Sequence, residues 1–387
     1  MIKRKAFKCR LEPTTEQVER LRVLCGHARF VWNHGLRHCL SELEAGKKVP
    51  SAFELNKLVT QWKKKEDTVW LTEAYTDNLQ QKLKDLHTAW MRCFDKSLNA
   101  EKPKFKKKGK SQDSIRFVNF NKYCQIDNRR VKLPSKLGWV KFRKSKDIQG
   151  TIKNCTISLN SGNWYISFQV EQEVNEPVHE STSAVGLDVG IAKFVTLSDG
   201  TQKKPESPYR KYEKQLAVEQ RKLSHKVKFS ENWKKQKVKI QKLHSKIANC
   251  RKDFLHKTSF EISNNHAMIA IEDLKVSNMS KSAKGDSENH GKNVKAKSGL
   301  NKSILDQGWF EFRRQLEYKQ FWKGGILIPV PAQYTSQTCP CCNHMSKENR
   351  KTQADFVCVE CGYENNADIV GALNVLERGH RLLACGE

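Results

Sequence analysis

Five cysteines lie close together near the end of the chain, in the segment TSQTCPCCNHMSKENRKTQADFVCVECGYE. Cys339 and Cys342 form one C-x2-C pair, and Cys358 and Cys361 form a second pair after fifteen intervening residues. Two such pairs at this spacing are typical of a zinc ribbon, in which four thiolates close a tetrahedral site. We therefore predict one structural Zn²⁺ ion without an open catalytic position, with Cys341 as the spare cysteine.

Three acidic residues stand at the ends of predicted secondary-structure elements. Asp188 ends the strand in AVGLDVG, Glu272 ends the apolar strand MIAIE, and Asp368 opens the predicted helix ADIVGALNVL. Phosphodiester hydrolysis uses carboxylates from separate elements that hold two divalent ions about 3.5–4 Å apart, and such hard cations prefer oxygen ligands. A helix cap or a strand-end charge explains each acid singly, but the three together favour a nuclease that uses Mg²⁺ or Mn²⁺.

The chain carries a large excess of positive charge. Its 71 Lys and Arg residues against 42 Asp and Glu residues give a net charge of +29 over 387 residues, which points to nucleic acid ahead of a membrane surface. No apolar run approaches the roughly 18 residues that span a bilayer, and the start lacks the apolar core of a signal peptide. We expect a protein of the reducing cell interior that is not associated with a membrane.

The N-terminal half changes from a helical to a strand pattern. Residues 14–40 predict a helix that begins with a capping box between Thr14 and Gln17, and the apolar spacing in residues 79–94 predicts another. Residues 113–175 are rich in aromatic and β-branched residues with turn signals, which predicts a small β-barrel or sheet. The opening strand IKRKAFKCRL would join this sheet, so the helices would be inserted in a β domain.

Basic residues concentrate in two segments. The segment KPKFKKKGK, residues 102–110, has six lysines and is predicted not to pack into a core. A solvated linker and a phosphate-binding segment both fit, and the overall charge favours phosphate contact. Arg251 and Lys257, in the basic helix predicted over residues 211–258, are weaker candidates, because a solvent-exposed helix face also explains their charges. The candidate nucleic-acid contacts are Lys102, Lys104, Lys106, Lys107, Lys108, Lys110, Arg251 and Lys257.

The C-terminal half reads as strands alternating with helices. AVGLDVGIAKFVTLSDGT predicts two short strands joined by a tight turn at Gly190, and MIAIE and GILIPV predict two more. Residues 276–300 are low in apolar residues and rich in Ser, Lys, Gly and Asn, which predicts a mobile loop. The segment ILDQGWFEFRRQLEYKQFWKG predicts one amphipathic helix.

Together these motifs make the chain similar to a known family. GLDVGIAKFVTLSDG, IEDLKV and SQTCPCCNH…FVCVECGYENNADIVGALNV resemble TnpB, the RNA-guided nuclease of small insertion-sequence transposons, of the OrfB type. LEPTTEQ…HARFVWN, KLPSKLGWVKFR and GNWYISFQVE resemble the family's N-terminal half. QKLHSKIANCRKDFLHK and WFEFRRQLEYK resemble its later helices. The resemblance covers almost the whole chain, and the motifs occur in the expected order.

The resemblance implies an α/β plus β architecture. A β-barrel wedge domain with an inserted helical recognition domain would precede a RuvC-like nuclease domain of the RNase H fold. Asp188, Glu272 and Asp368 would be its metal-binding triad, and zinc would position the helix that bears Asp368. The implied domains are residues 1–12 and 111–178 for the wedge, 13–110 for the recognition domain, and 179–387 for the nuclease, with the ribbon inserted at about 335–365.

The function implied is RNA-guided, metal-dependent cleavage of double-stranded DNA beside a short transposon-associated motif, which would promote retention and spread of the element. Partners would be a guide RNA transcribed from the transposon end and target DNA, bound by a monomer with one RNA. Two alternatives remain open: an RNA-guided repressor that does not cleave, and a transposase that joins DNA.

Overall fold

A computed structural model of the chain describes residues 1–286 and 289–385. The chain forms two compact units, Met1–Val174 and Asn175–Glu387, and the predicted boundary at residue 178 lies close to this division. Within the described residues, no helix is long and apolar enough to cross a membrane.

The first unit is built on an antiparallel sheet of seven strands in the order β2-β6-β7-β1-β5-β4-β3. The opening strand pairs with β7 on one side and with β5 on the other, so it joins the sheet as predicted. Within the described residues no hydrogen-bonded pairing joins β2 to β3, and the ladder stays open at these short edge strands instead of closing into a barrel. The strands are β1 (Ile2–Glu12), β2 (Ser114–Phe117), β3 (Gln125–Asp127), β4 (Arg130–Leu133), β5 (Gly138–Arg143), β6 (Thr151–Asn160) and β7 (Asn163–Glu173).

Three α-helices and a 3-10 helix fill the sequence between the first two strands, and one short helix follows β2. The predicted capping box is present, since the Gln17 amide donates to Thr14 Oγ1 at 3.3 Å and the Thr14 amide donates to Gln17 Oε1 at 3.0 Å. Buried side chains that include Leu36, Leu83 and Trp90 form a core among these helices. The helices are α1 (Thr15–Glu44), α2 (Ala52–Trp62), α3 (Thr76–Phe94) and the short α4 (Phe120–Tyr123), with a 3-10 helix at Glu66–Glu73.

The lysine-rich segment is held against α1. The Trp32 indole donates to the Lys104 carbonyl at 3.0 Å, and the Asn33 side chain exchanges two hydrogen bonds with the Lys106 backbone. The Lys106 ammonium lies 3.6 Å from the centre of the Trp32 ring, and burial lowers the pKa of Lys106 to about 8. No residue of the segment belongs to a hydrophobic core, as predicted, but Lys106 is half-buried against α1. The other five lysines are exposed: Lys102, Lys104, Lys107, Lys108 and Lys110.

The second unit contains a five-stranded sheet in the order β10-β9-β8-β11-β12. The three strands β8, β11 and β12 are parallel, while β9 and β10 continue the sheet antiparallel. This arrangement of three antiparallel strands followed by two parallel ones is that of the RNase H-like fold. The strands are β8 (Ala184–Val189), β9 (Val195–Leu197), β10 (Gln202–Lys203), β11 (Met268–Glu272), β12 (Ile326–Val330) and the ribbon pair β13 (Asp355–Val357) and β14 (Glu364–Asn366).

Three predicted elements of this unit differ in the structure. The basic helix predicted over residues 211–258 is divided into two helices, with residues 225–230 between them. The predicted helix ILDQGWFEFRRQLEYKQFWKG is divided at Gly308, whose φ of +75° is a left-handed conformation that ends a helix. The predicted mobile loop contains a short helix and the start of a longer one, while its residues 287 and 288 lie outside the described residues. The helices are α5 (Pro208–Ser224), α6 (Glu231–Asn265), α7 (Val276–Met279), α8 (Val294–Gln307), α9 (Trp309–Lys323) and α10 (Ala367–Cys385), with a 3-10 helix at Lys347–Asn349.

Helix α10 lies directly on strands β8 and β11. A Cβ atom at Gly186 of β8 would lie 2.0 Å from the Ala372 carbonyl oxygen, and one at Gly379 of α10 would lie 2.6 Å from the Ala270 side chain. Only glycine allows backbones to approach this closely without a shift. The absence of two side chains therefore seats α10 against the two strands that carry Asp188 and Glu272.

Candidate functional site

The three predicted acids lie at one edge of the five-stranded sheet. Leu187 pairs with Ile271 across the parallel strands β8 and β11, so Asp188 and Glu272 follow at the same edge of the sheet. Asp368 lies in the first turn of α10. A Cβ atom at Gly371, one turn later, would lie only 3.2 Å from Asp188 Oδ2, so the start of α10 lies beside the Asp188 carboxylate.

The electrostatics of the three acids show that they interact. Burial, together with the neighbouring charges of Glu272 and Asp368, raises the pKa of Asp188 to about 7 against the opposing effect of Arg350. Burial also raises the pKa of Glu272, opposed by a hydrogen bond from Thr335. A cation bound among these groups would relieve their repulsion, and their oxygen atoms are the ligands that Mg²⁺ prefers. The donor set therefore fits divalent ions.

A second set of residues holds Glu272 in place. The Thr335 hydroxyl donates to Glu272 Oε1 at 2.7 Å, and the Asn374 amide of α10 donates to the Thr335 carbonyl at 2.8 Å. One turn further, Arg378 donates to the carbonyls of Pro331 and Gln333, both at 2.7 Å. Helix α10 thus supplies Asp368 and also fixes the loop that orients Glu272. Sequence reasoning missed this network, because nothing in the sequence distinguishes Thr335 from a loop threonine.

Arg350 is a further charged group near the acids that sequence reasoning missed. It lies in the ribbon, it is half-buried, and its guanidinium donates to the Gln353 carbonyl at 2.9 Å. Its charge is close enough to oppose the rise in the pKa of Asp188. The ribbon therefore brings one cation toward the carboxylates.

The four predicted zinc ligands form a compact cluster. The sulfur atoms of Cys339, Cys342, Cys358 and Cys361 all lie within 4.8 Å of one another, with Cys339–Cys361 and Cys342–Cys358 separations of 3.6 Å. A tetrahedron with Zn–S bonds of about 2.3 Å requires sulfur separations of about 3.8 Å. The cluster fits a structural zinc ribbon, and Cys341 is exposed and is not part of it.

The acids are spread more widely than the cysteines. Within the described residues, the four cysteines are the only group of three or more His, Cys, Asp or Glu ligand atoms that all lie within 4.8 Å of one another. The oxygens of Asp188, Glu272 and Asp368 therefore do not meet at a single point as the sulfurs do.

The two halves of the ribbon share one backbone pattern. The Cys339 amide donates to the His344 carbonyl, and the Cys358 amide donates to the Tyr363 carbonyl, both at 2.9 Å. Asn343 takes a φ of +61° directly after the second cysteine of its pair, where the other pair has a glycine. Asparagine tolerates this left-handed conformation better than most residues. The half of the ribbon that contains Cys339 and Cys342, here called its first knuckle, therefore forms without a glycine.

The core of the ribbon continues into the helix that carries Asp368. The Ala367 amide donates to the Ala354 carbonyl of the ribbon at 2.7 Å, which fixes the residue just before Asp368. The small buried cluster comprises Cys339, Phe356, Cys358, Ala367 and Val370. Two of the predicted zinc ligands, Cys339 and Cys358, therefore pack in the same cluster as the first turn of α10.

Two candidate nucleic-acid contacts are engaged within the protein. The Arg251 guanidinium donates to the Asp306 side chain at 2.6 Å and to its backbone carbonyl at 2.8 Å. Asp306 also accepts hydrogen bonds from the Tyr209 and Arg210 amides at the start of α5. Arg251 is thus a structural residue joining α6 and α8, which argues against its predicted role. Lys257 pairs with Asp253 at 2.7 Å but remains exposed.

We expect the stability of the protein without Mg²⁺ or Mn²⁺ to reveal the raised pKa of Asp188. Its pKa rises from 3.8 to about 7 on folding, so between these pH values the folded state binds more protons than the unfolded chain. The free energy of unfolding must then fall as pH rises through this window. Without added Mg²⁺ or Mn²⁺ and with the zinc ion retained, thermal unfolding of the wild type should lose more stability from pH 5 to pH 7.5 than that of Asp188→Asn. Equal losses in both proteins would contradict the assignment, and added Mg²⁺ should restore the wild type selectively.

Comparison with known families matches three parts of the chain. Residues 167–283 match the OrfB_IS605 family, described as "Probable transposase", and residues 309–375 match the "Cas12f1-like, TNB domain". Residues 1–48 match a family described as "Helix-turn-helix domain". In the structure those residues form strand β1 and the single helix α1.

Full-length relatives are more informative. The chain is 51% identical over 387 residues, covering 100% of this chain and 95% of the relative, to the "Putative RNA-guided DNA endonuclease InsQ" of Escherichia coli (strain K12). It is 30% identical to a "Putative RNA-guided DNA endonuclease" of Streptomyces pristinaespiralis over 99% of this chain and 91% of the relative. Among solved structures, a "Cas12f1-sgRNA-target DNA complex" aligns over 97% of this chain and 99% of that chain, with 17% identity and a TM-score of 0.35. Identity over its whole length thus confirms what the motifs predicted: the chain belongs to the TnpB family.

Proposed function

We propose that this chain is an RNA-guided, metal-dependent DNA endonuclease. The observation that carries the proposal is the meeting of Asp188, Glu272 and the first turn of α10 at one edge of an RNase H-like sheet, in a chain with a net charge of +29. The names of the full-length relatives support the same function. Intact acids at all three positions disfavour a repressor that does not cleave.

The carboxylates would hold two Mg²⁺ or Mn²⁺ ions at the scissile phosphate. Bound ions of this kind activate water and stabilise the leaving oxygen of an in-line displacement. Strands β8 and β11 would position Asp188 and Glu272, and the Thr335 hydroxyl would fix the orientation of the Glu272 carboxylate. Asp368 would be carried into place by α10. No protein nucleophile is needed, and the one structural Zn²⁺ ion would have no direct part in the chemistry.

Sequence recognition would be divided between RNA and protein. Pairing with a guide RNA from the transposon end would select the target, while the protein would read a short flanking motif on the duplex. Cleavage beside that motif would promote retention and spread of the transposon. Exposed lysines would bind the backbone of the heteroduplex, whose phosphates dominate affinity. We propose a monomer with one RNA as the active species.

The test begins with the RNA that copurifies with the protein. That RNA would be sequenced, and the complex incubated with a plasmid library carrying the matching target beside randomised sequence, with and without free transposon ends. Linearised plasmids that share a flanking motif would support the endonuclease. Bound but intact plasmid would favour the repressor, and joined transposon ends would favour the transposase.

The exposed lysines of the segment 102–110 should contribute to the salt dependence of binding. Combined replacement of Lys107, Lys108 and Lys110 by glutamine should weaken RNA binding and reduce the log–log salt slope by up to about 2, since each lost phosphate contact removes slightly less than one released counterion. Lys106 is left unchanged because it stacks on Trp32.

The matched control for charge replaces three exposed lysines elsewhere in the first unit, Lys64, Lys65 and Lys96. This variant loses the same net charge and should keep a slope closer to that of the wild type. Filter binding across a series of salt concentrations measures both. Equal slopes for the two triple variants would mean that the lysine-rich segment makes no specific contact.

A further inference from the structure

The turn between α5 and α6 holds an aromatic residue in a backbone conformation that such residues rarely adopt. The Ser230 amide donates to the Val227 carbonyl at 3.1 Å, which closes a four-residue turn. Phe229, the third residue of this turn, takes a φ of +71°. Glycine is favoured at that position, because a side chain is crowded by the backbone at a positive φ. Phe229 therefore strains the turn in which it lies.

Packing within the protein does not account for this aromatic residue. Phe229 is 67% exposed, although its ring lies 5.5 Å from the ring of the half-buried Trp233, measured between centroids. Ser230 is the N-cap of α6, since its side-chain oxygen accepts a hydrogen bond from the Trp233 amide at 3.1 Å. The capped helix thus presents two neighbouring rings at the turn, and one of them is open to solvent.

The segment around the turn is strongly basic. Residues 221–239 contain eight Lys and Arg residues and one acid, Glu231. Lys222 pairs with Glu219 at 2.9 Å, and Lys234 pairs with Glu231 at 2.6 Å. In the part of the chain that the structure describes, the other six cations of this segment form no salt bridge. Cations that are free to pair bind phosphate best, so this surface fits a polyanion.

Cations lie beside both rings of the turn. The Lys228 ammonium is 5.5 Å from the centre of the Phe229 ring, and the Lys237 ammonium is 5.2 Å from that of Trp233. Surfaces that bind unpaired nucleotides combine aromatic side chains, on which bases stack, with cations that contact the backbone. A helix that binds a lipid surface instead leaves its apolar face for the bilayer. The apolar faces of α5 and α6 are used for a core of their own, which favours nucleic acid.

We propose that this turn is a binding site for one unpaired base of the guide RNA, with Phe229 stacking on the base and Lys228 and Lys237 contacting the adjoining phosphates. The inference rests on the proposed function, which supplies the RNA, and adds to it a point of contact on the nuclease unit. Neighbouring base pairs cover both faces of a base inside a helix, so the site would select a loop, bulge or end of the RNA. The target strand would be paired with the guide, which makes RNA the favoured source of the base.

RNA affinity and thermal stability of the same variants test this site without requiring cleavage. The probe is the RNA that copurifies, labelled and returned to protein freed of RNA at high salt, without added Mg²⁺ or Mn²⁺. Phe229→Ala and Phe229→Gly should both raise the Kd on the order of tenfold, since each loses the stack. Phe229→Gly should have the higher Tm of the two, because glycine adopts the positive φ without strain. Phe229→Tyr should bind as tightly as the wild type.

The matched control is Phe260→Ala. Phe260 is also on α6, is 58% exposed, and has the Lys323 ammonium 5.5 Å from its ring centre, so loss of its ring should leave the Kd unchanged. Equal affinities for Phe229→Gly and the wild type would overturn the base site. An affinity that follows Tm, with Phe229→Gly near the wild type and Phe229→Ala weak, would also overturn it by making Phe229 a structural residue.

Ultraviolet cross-linking followed by mass spectrometry identifies the molecule that lies on the ring. A ribonucleotide attached to the peptide containing Phe229 would support the site, whereas a deoxyribonucleotide found only after target DNA is added would overturn the RNA assignment. Loss of binding to phosphatidylserine vesicles by Phe229→Gly, with RNA affinity unchanged, would assign the turn to a membrane surface instead. A protein that binds RNA through Phe229 but never cuts would contradict the proposed nuclease while supporting this site.

Discussion

Replacing Asp188 with asparagine should lower the rate of guided DNA cleavage by at least about 10³-fold. Asparagine keeps the shape of the side chain but removes the charge that holds divalent ions, which contribute several kcal/mol of transition-state stabilisation. Affinity for RNA and target should survive, because phosphate contacts to basic residues provide it. Single-turnover cleavage and binding in chelator, measured on the same complex, separate the two effects.

The matched control for this substitution is Asp253→Asn. Asp253 is an exposed acid on α6 that forms a salt bridge with Lys257, so the variant loses the same single charge away from the carboxylate site. Its cleavage rate should remain near that of the wild type. Comparable rates for Asp188→Asn and the wild type would remove Asp188 from the site, whatever the control does.

The second large effect should follow from Cys342→Ser. A serine hydroxyl does not supply a thiolate, and a site with three sulfur ligands is weaker and open to water. Zinc binding contributes about 10–16 kcal/mol to the folding of small zinc modules, so loss of the ion should unfold the ribbon. The shared core of the ribbon and α10 would then release the first turn of α10. Cleavage should fall at least about 10-fold although all three acids remain.

Cys341→Ser provides the control from the same knuckle. Cys341 is exposed and lies outside the sulfur cluster, so this variant should keep one zinc ion per chain and most of its cleavage activity. Metal analysis of both purified variants, beside their cleavage rates, decides the assignment. Zinc lost from Cys341→Ser but kept by Cys342→Ser would reverse the ligand set.

The features that sequence predicted best are those with a local signature. Cysteine spacing identified four ligands whose sulfurs do lie together, because each knuckle is formed by neighbouring residues. The capping box at Thr14 was likewise predictable, since its two partners are three residues apart. Strand ends identified Asp188 and Glu272 as candidates because a buried apolar run that ends in an acid is visible in the sequence.

The features that sequence could not predict depend on contacts between distant residues. Thr335 orients Glu272, which lies far away in the chain, and no local pattern marks such a pair. Lys106 was expected in solvent, but Trp32 and Asn33 of α1 provide a ring face and backbone partners for it. Gly308 was read as part of one helix because apolar spacing continues across it, while its left-handed backbone ends α8.

The seating of α10 on β8 also bears on how the enzyme is made. Strand β8 opens the second unit, while the helix that covers it and carries the third acid is the last element described. During synthesis, a nascent chain would expose β8 and β11 long before α10 leaves the ribosome. The cutting centre would be completed only when the whole ribbon and α10 have emerged. A truncated or stalled chain that lacks α10 would then bind RNA without being able to cut the genome that encodes it.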